Sequence, residues 1–143
     1  MGGNEQQFVN EAFDTNWVAP LGPNVTGFEN DLETFLGNTS YVAALSSGTA
    51  AIHLGLVLLN INPNDVVICQ SFTFSASANP ILYQGATPVF IDSEEETWNM
   101  CPKALEEAIL DRISKGKKPK AIIPVHLYGM PYKVDEVRKI ADK

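Results

Sequence analysis

The rhythm of apolar positions changes near residue 40. Over residues 4–15, Phe8, Val9, Ala12 and Phe13 recur at helical spacing among polar residues, which predicts an amphipathic helix. "NWVAPLGPN" (16–24) breaks that pattern with two prolines and a glycine, and Val25, Phe28, Leu32, Phe35 and Leu36 then restart a helical stripe that Gly37 stops. Beyond it the apolar residues come as short unbroken runs, "SYVAAL" (40–45), "DVVIC" (65–69), "TPVFID" (87–92) and "KAIIPVHL" (120–127). Strands covered on both faces have this composition. Helical stretches over about 48–60, 73–84 and 102–115 separate the runs, and another helix opens at Lys133. Pro102 at a first helical position, followed by "KALEEAIL", makes the third of these definite.

Strand and helix in strict alternation predict an α/β layered domain with a largely parallel sheet. The expected layout is a helical lead-in over 1–39 and βα repeats over 40–143. The last helix has barely formed when the sequence ends at Lys143, where units of this kind normally return to the sheet, so a piece of a larger domain is expected.

Composition adds bounds. The chain has 143 residues, 45% of them hydrophobic and 19% charged, which suits one modest globular domain. No uninterrupted apolar run reaches the roughly 18–20 residues that span a bilayer, and "MGGNEQQFVNEAF" lacks a basic n-region and an apolar h-region, so a cytoplasmic location is the expectation. Cys69 and Cys101 form no CxxC pair and read as buried free thiols. The net charge of −7 is unevenly spread: residues 1–102 carry eleven acids and no base, whereas every Lys and Arg lies at or after Lys103. Such a chain repels nucleic acid and anionic membrane over most of its length, and neither is expected as a partner. Any phosphate held by the first hundred residues must be held by backbone amides and hydroxyls.

That constraint bears on "LSSGTAAIHL" (45–54), where small residues crowd a strand-to-helix junction. In open parallel sheets ligands sit at the carboxyl ends of strands, against helix N-termini with free amides and partial positive charge. Gly48 lets the backbone approach closely, the Thr49 hydroxyl and the amides of Thr49 and Ala50 donate, and Ala50 and Ala51 keep bulk away. On spacing alone, a ligand-free helix N-cap by Ser47 or Thr49 remains the simpler explanation. The segment matches neither GxGxxG nor GxxxxGK[ST]. A second small polar turn, "SFTFSASAN" (71–79), follows the next strand with two aromatics, and Phe74 is placed either in the core or flat against a planar ring. A phosphate and a flat heteroaromatic ring together suggest pyridoxal 5'-phosphate.

The succession "SSGTAAIHL", "SFTFSASANPILYQGATPVFID" and "IIPVHLYGMP", with the opening "FDTNWVAPLGPNVTGFE", resembles the DegT/DnrJ/EryC1/StrS family of sugar aminotransferases over nearly all 143 residues. Within it, "NWVAPLG" and "HLYG" are most similar to C4 aminotransferases of UDP-4-keto-6-deoxy-N-acetylglucosamine. The resemblance implies a three-layer, aspartate aminotransferase-type large domain, here incomplete, and pyridoxal 5'-phosphate as cofactor. It places the cofactor phosphate at Gly48, Thr49 and Ala50, the ring against Phe74, and a nucleotide-sugar pocket beside Trp17 to Gly22. It further implies ping-pong transfer from glutamate to a keto carbon of a nucleotide-linked sugar, in a homodimer whose sites are completed by the second subunit.

No catalytic residue is identifiable. The cofactor's chemistry needs a Lys amine for a Schiff base and an acid on the pyridinium nitrogen. All eight Lys lie between 103 and 143 in polar, surface-like settings. The family pattern puts the acid and the Lys beyond Lys143, and about ten further residues before the first, so the expectation is an N-terminal part without the catalytic Lys segment or C-terminal domain, inactive alone. Gln70, where the family commonly has Pro or a small residue, and the long "KGKKPK" connection are the departures. His53 reads as a packed or interface residue and His126 as a structural hydrogen-bonding one. "DSEEET" (92–97) reads as a solvated acidic turn rather than a metal site. Rival readings are a family member with the Lys replaced, which dehydrates rather than aminates its sugar, a generic nucleotide-binding domain, and a non-catalytic fragment that self-associates through a bare sheet edge.

Overall fold

The computed structural model describes residues 2–143, in two units that divide after Leu45. The first contains α1 (Glu5–Asp14) and α2 (Pro23–Phe35), neither with a buried side chain. Between them Gly22 takes φ 151° at the N-cap of α2, open only to glycine, and the Trp17 ring lies over it so that a Cβ there would meet ring carbon at 3.0 Å. The expected strand at 40–45 is absent: no described residue pairs with it. Its backbone is served by carboxylates instead, Val42 N–H donating to Glu33 at 2.9 Å and Ala44 N–H to Glu29 at 2.7 Å. Both acceptors stand one turn apart on α2, matching the two-residue step of an extended chain. The segment 40–45 thus belongs with the helical lead-in.

The second unit is built on β1 (Val66–Gln70), which pairs in parallel with β2 (Thr87–Ile91) on one side and β3 (Ala121–Ile123) on the other, giving the order β2-β1-β3. As central strand, β1 is buried end to end. Its alternate residues enter two cores. Val67 and Cys69 pack with Leu56 and Ile61, from and just past α3 (Gly48–Leu58), and with Ile81 of α4 (Asn79–Tyr83). Ile68 packs with Leu105 of α5 (Pro102–Ser114), Val137 of α6 (Val134–Asp142) and Met100. Helices therefore cover both faces of a parallel sheet, the three-layer arrangement expected.

Two elements are shorter than the apolar pattern predicts. The helix expected over 73–84 is a 3₁₀ turn, Ser75–Ser77, followed by the five-residue α4. The strand expected over 120–127 stops at Ile123, because Pro124 has no N–H for the ladder and the amides beyond it bond to side chains. Chain reversals rely on left-handed residues: after α3, Asn60 at φ 54° lets Ile61 N–H return to Leu56 carbonyl at 3.0 Å, and Gly85 at φ 69° does the same after α4, close under Pro63. Burial pushes the Cys69 thiol up to about 11, leaving it inert.

Candidate functional site

The turns that follow β1 and β3, together with the N-terminus of α3, line an open cavity of about 720 Å³ at the carboxyl edge of the sheet. This is where a parallel sheet offers converging loops and helix N-termini. Three walls form it. The first is the start of α3, Ser47, Gly48 and Thr49, with Ile52 one turn further on. Ser47 is the N-cap, extended in backbone, and its hydroxyl accepts from Ala50 N–H at 3.1 Å. Ala50 is accordingly not in the cavity wall, and its amide is already satisfied. The amides of Gly48 and Thr49 have no acceptor among the described residues, and a Cβ at Gly48 would meet nothing within 4 Å. Close approach is open there, and the helix dipole favours an anion.

The second wall is the turn 72–77. Thr73 and Ser77 hydroxyls bond each other at 2.8 Å, which closes the turn, while Phe74 stays 78% exposed with its side chain toward the cavity rather than in the core. Phe72, also in the wall, is held edge-on by Trp98 with ring centroids 6.2 Å apart. The third wall is Val125, Leu127 and Tyr128. Tyr128 adopts φ 51°, a conformation rare for a bulky residue, and is 93% exposed. No ionisable acid or base other than this phenol lines the cavity.

Sequence reasoning singled out Gly48, Thr49 and Phe74, and the structure brings all three into one cavity. Trp17 and Gly22 lie together in the first unit. Tyr128 and its neighbours were missed as a wall; convergence of strand ends at one edge of a parallel sheet was the available signal, and it drew attention to His126 instead. Val125 and Leu127 line the cavity, and His126 between them does not. Its ring stacks on Tyr132 at 4.7 Å, and Nδ1 accepts from Tyr132 N–H at 3.3 Å. His53 packs edge-on against Tyr83 and meets Gln84 through Nε2 at 2.6 Å. In the acidic turn, Glu94 accepts from the Thr97 hydroxyl and from the amides of Glu96 and Thr97, at 2.9 and 2.8 Å, and pairs with Lys133. The Thr97 hydroxyl foremost, then those amides and Lys133, hold its carboxyl down at about 2.

The whole chain, residues 1–143, matches the model of the DegT/DnrJ/EryC1/StrS aminotransferase family. The protein belongs to that family. It is 54% identical over 142 residues to EpsN of Bacillus subtilis (strain 168), covering 99% of this chain and 36% of that protein. It is 39% identical over 139 residues to the GDP-perosamine synthase of Escherichia coli O157:H7, covering 97% of this chain and 36% of the synthase. Among solved structures, NtdA of Bacillus subtilis with its cofactor PMP bound superposes with a TM-score of 0.82 at 34% identity, over 99% of this chain and 32% of that one. The chain thus spans about a third of the length of the relatives it matches.

Proposed function

We propose that this chain carries the cofactor-binding part of a pyridoxal 5'-phosphate-dependent aminotransferase that moves an amino group from glutamate to a keto carbon of a nucleotide-linked sugar, for cell-surface polysaccharide or glycoprotein sugars. The observation that carries the reading is the uncharged cavity in which the free amides of α3 and the exposed ring of Phe74 share one wall-to-wall space. The residues suit the cofactor. A phosphate fits the Gly48 and Thr49 amides and the Thr49 hydroxyl, stabilised by the helix N-terminus by about 0.3–1 kcal/mol. Ala50 serves by being small, since its amide is engaged by Ser47. Phe74 offers a face for a flat ring, and Trp17 and Gly22, which lie together in the first unit, are proposed as nucleotide-sugar contacts.

When bound, the cofactor supplies the electron sink through which an amino group passes between carbon skeletons. This chain's part is to hold the phosphate without a cation, fix the ring plane and keep water from the apolar side lined by Ile52, Val125 and Leu127. No Lys lines the cavity; Lys115, Lys120, Lys133 and Lys143 are paired with carboxylates elsewhere. The 143-residue chain alone therefore binds the cofactor without a covalent bond and does not transaminate. A homodimer is part of the proposal, supported by the large apolar side chains that α1 and α2 leave exposed.

Titration with pyridoxal 5'-phosphate, followed by tryptophan quenching and absorbance, tests the reading. Saturable binding without a new band above 400 nm is expected. Phe74→Ala weakens it about 2- to 10-fold, the equivalent of roughly 0.5–1.5 kcal/mol of stacking. Failure to bind, or protection from melting by ATP or NAD instead, defeats the assignment.

A further inference from the structure

Two side-chain amides, Gln70 at the end of β1 and Asn99 before α5, are fully buried at 0% exposure. Neither touches the cavity, yet each reaches the backbone of its walls. Gln70 Oε1 accepts from Val125 N–H at 3.0 Å, and its Nε2 donates to the Phe72 carbonyl at 2.8 Å. Asn99 Oδ1 accepts from Leu127 N–H at 3.0 Å, and its Nδ2 donates to the Met130 carbonyl at 2.8 Å. The two amides meet at 3.5 Å. The amides of Val125 and Leu127 lie past the end of β3, where no strand pairs with them, and these two side chains supply their acceptors. The stretch they span includes Tyr128 in its left-handed conformation, which persists only where surrounding bonds over-determine the backbone.

We propose that Gln70 and Asn99 are positioning residues: an amide clamp that sets the separation between the Phe72–Phe74 wall and the Val125–Tyr128 wall, and thereby holds Tyr128 over the cofactor cavity. This rests on the functional reading above for the identity of the ligand but not for the clamp itself. A buried, half-satisfied amide is costly, so the pair acts as a unit: Gln70 alone spans the two walls, and Asn99 fixes the far end of the second.

Residue-resolved amide exchange on the 143-residue chain tests the clamp without any ligand. In the wild type, Val125 and Leu127 exchange as slowly as the ladder amides of β1, although they lie outside the strands; fast exchange at both overturns the proposal. Gln70→Leu, close in volume, speeds Val125 at least tenfold and leaves the β1 amides unchanged, and Asn99→Leu does the same at Leu127. In parallel, Gln70→Leu raises the pyridoxal 5'-phosphate Kd about tenfold at an unchanged fraction folded, a readout that a merely structural role leaves still. Equal affinity in both proteins overturns the control of the cavity. Absence of binding by the wild type would defeat the cofactor assignment, and the exchange data would then decide the clamp alone.

Discussion

The unit that ends at Leu45 and the one that begins at Ser46 use apolar residues in opposite ways. In the second, β1 is buried over all five residues and feeds two cores, one on each face. In the first, Phe13 and Phe35 are 69% and 85% exposed, no side chain of α1 or α2 is buried, and a segment as apolar as a strand is held by two glutamates. The difference is not one of composition. A hydrophobic stripe becomes a core only where a second layer faces it, and backbone amides become a ladder only where another strand lies alongside.

The comparison breaks most visibly in stability. Ile68→Ala, which empties a fully buried site, lowers the unfolding free energy by about 2–5 kcal/mol, whereas Phe13→Ala changes it by less than about 0.5 kcal/mol. Denaturant midpoints check this, and equal losses would dissolve the distinction between the units. Next in size, Glu33→Ala removes a charged acceptor and lowers local protection at Val42 by about 1.5–3 kcal/mol, read as faster amide exchange there while Ile68 is unaffected.

A smaller effect concerns the acidic turn. The Glu94 carboxyl titrates at about 2 in the folded chain, below its ordinary 4.5, so the ionised form is favoured by folding. Its stabilisation is complete above about pH 4.5 and is lost as pH falls toward 2. Thr97→Val removes the leading donor and moves the titration back toward 4.5, which carboxyl NMR would follow; an unmoved midpoint would show that the hydroxyl contributes little. Smallest is Lys115→Ala at the exposed pair with Asp111 one turn away, where the thermal unfolding midpoint should scarcely move.

The βα succession and the parallel sheet were legible because periodicity is a local signal, and small-residue turns singled out Gly48, Thr49 and Phe74, which share one cavity. Residues 40–45 were misread for the same reason: the apolar run is local, but its ladder partner is not, and Glu29 and Glu33 took that place from a helix fifteen and nine residues upstream. Ala50 was expected to donate its amide to a phosphate, and in the structure that amide bonds to the Ser47 hydroxyl three residues earlier. Asn99 gave no cue, since a single Asn in a turn-rich stretch reads as turn chemistry, not as a buried bracket for a loop 28 residues ahead.

By itself the sequence determined the alternation of helical and strand-like segments beyond residue 46, that residues 1–102 supply no cation, and that small residues leave backbone open at Gly48. Only the tertiary structure decided which strands pair, that Tyr128 rather than His126 lines the cavity, and which amides remain free to donate. The first set follows from short-range sterics and periodicity. The second depends on competition among distant groups for the same hydrogen-bonding partners and the same apolar space, which is resolved only when the layers close.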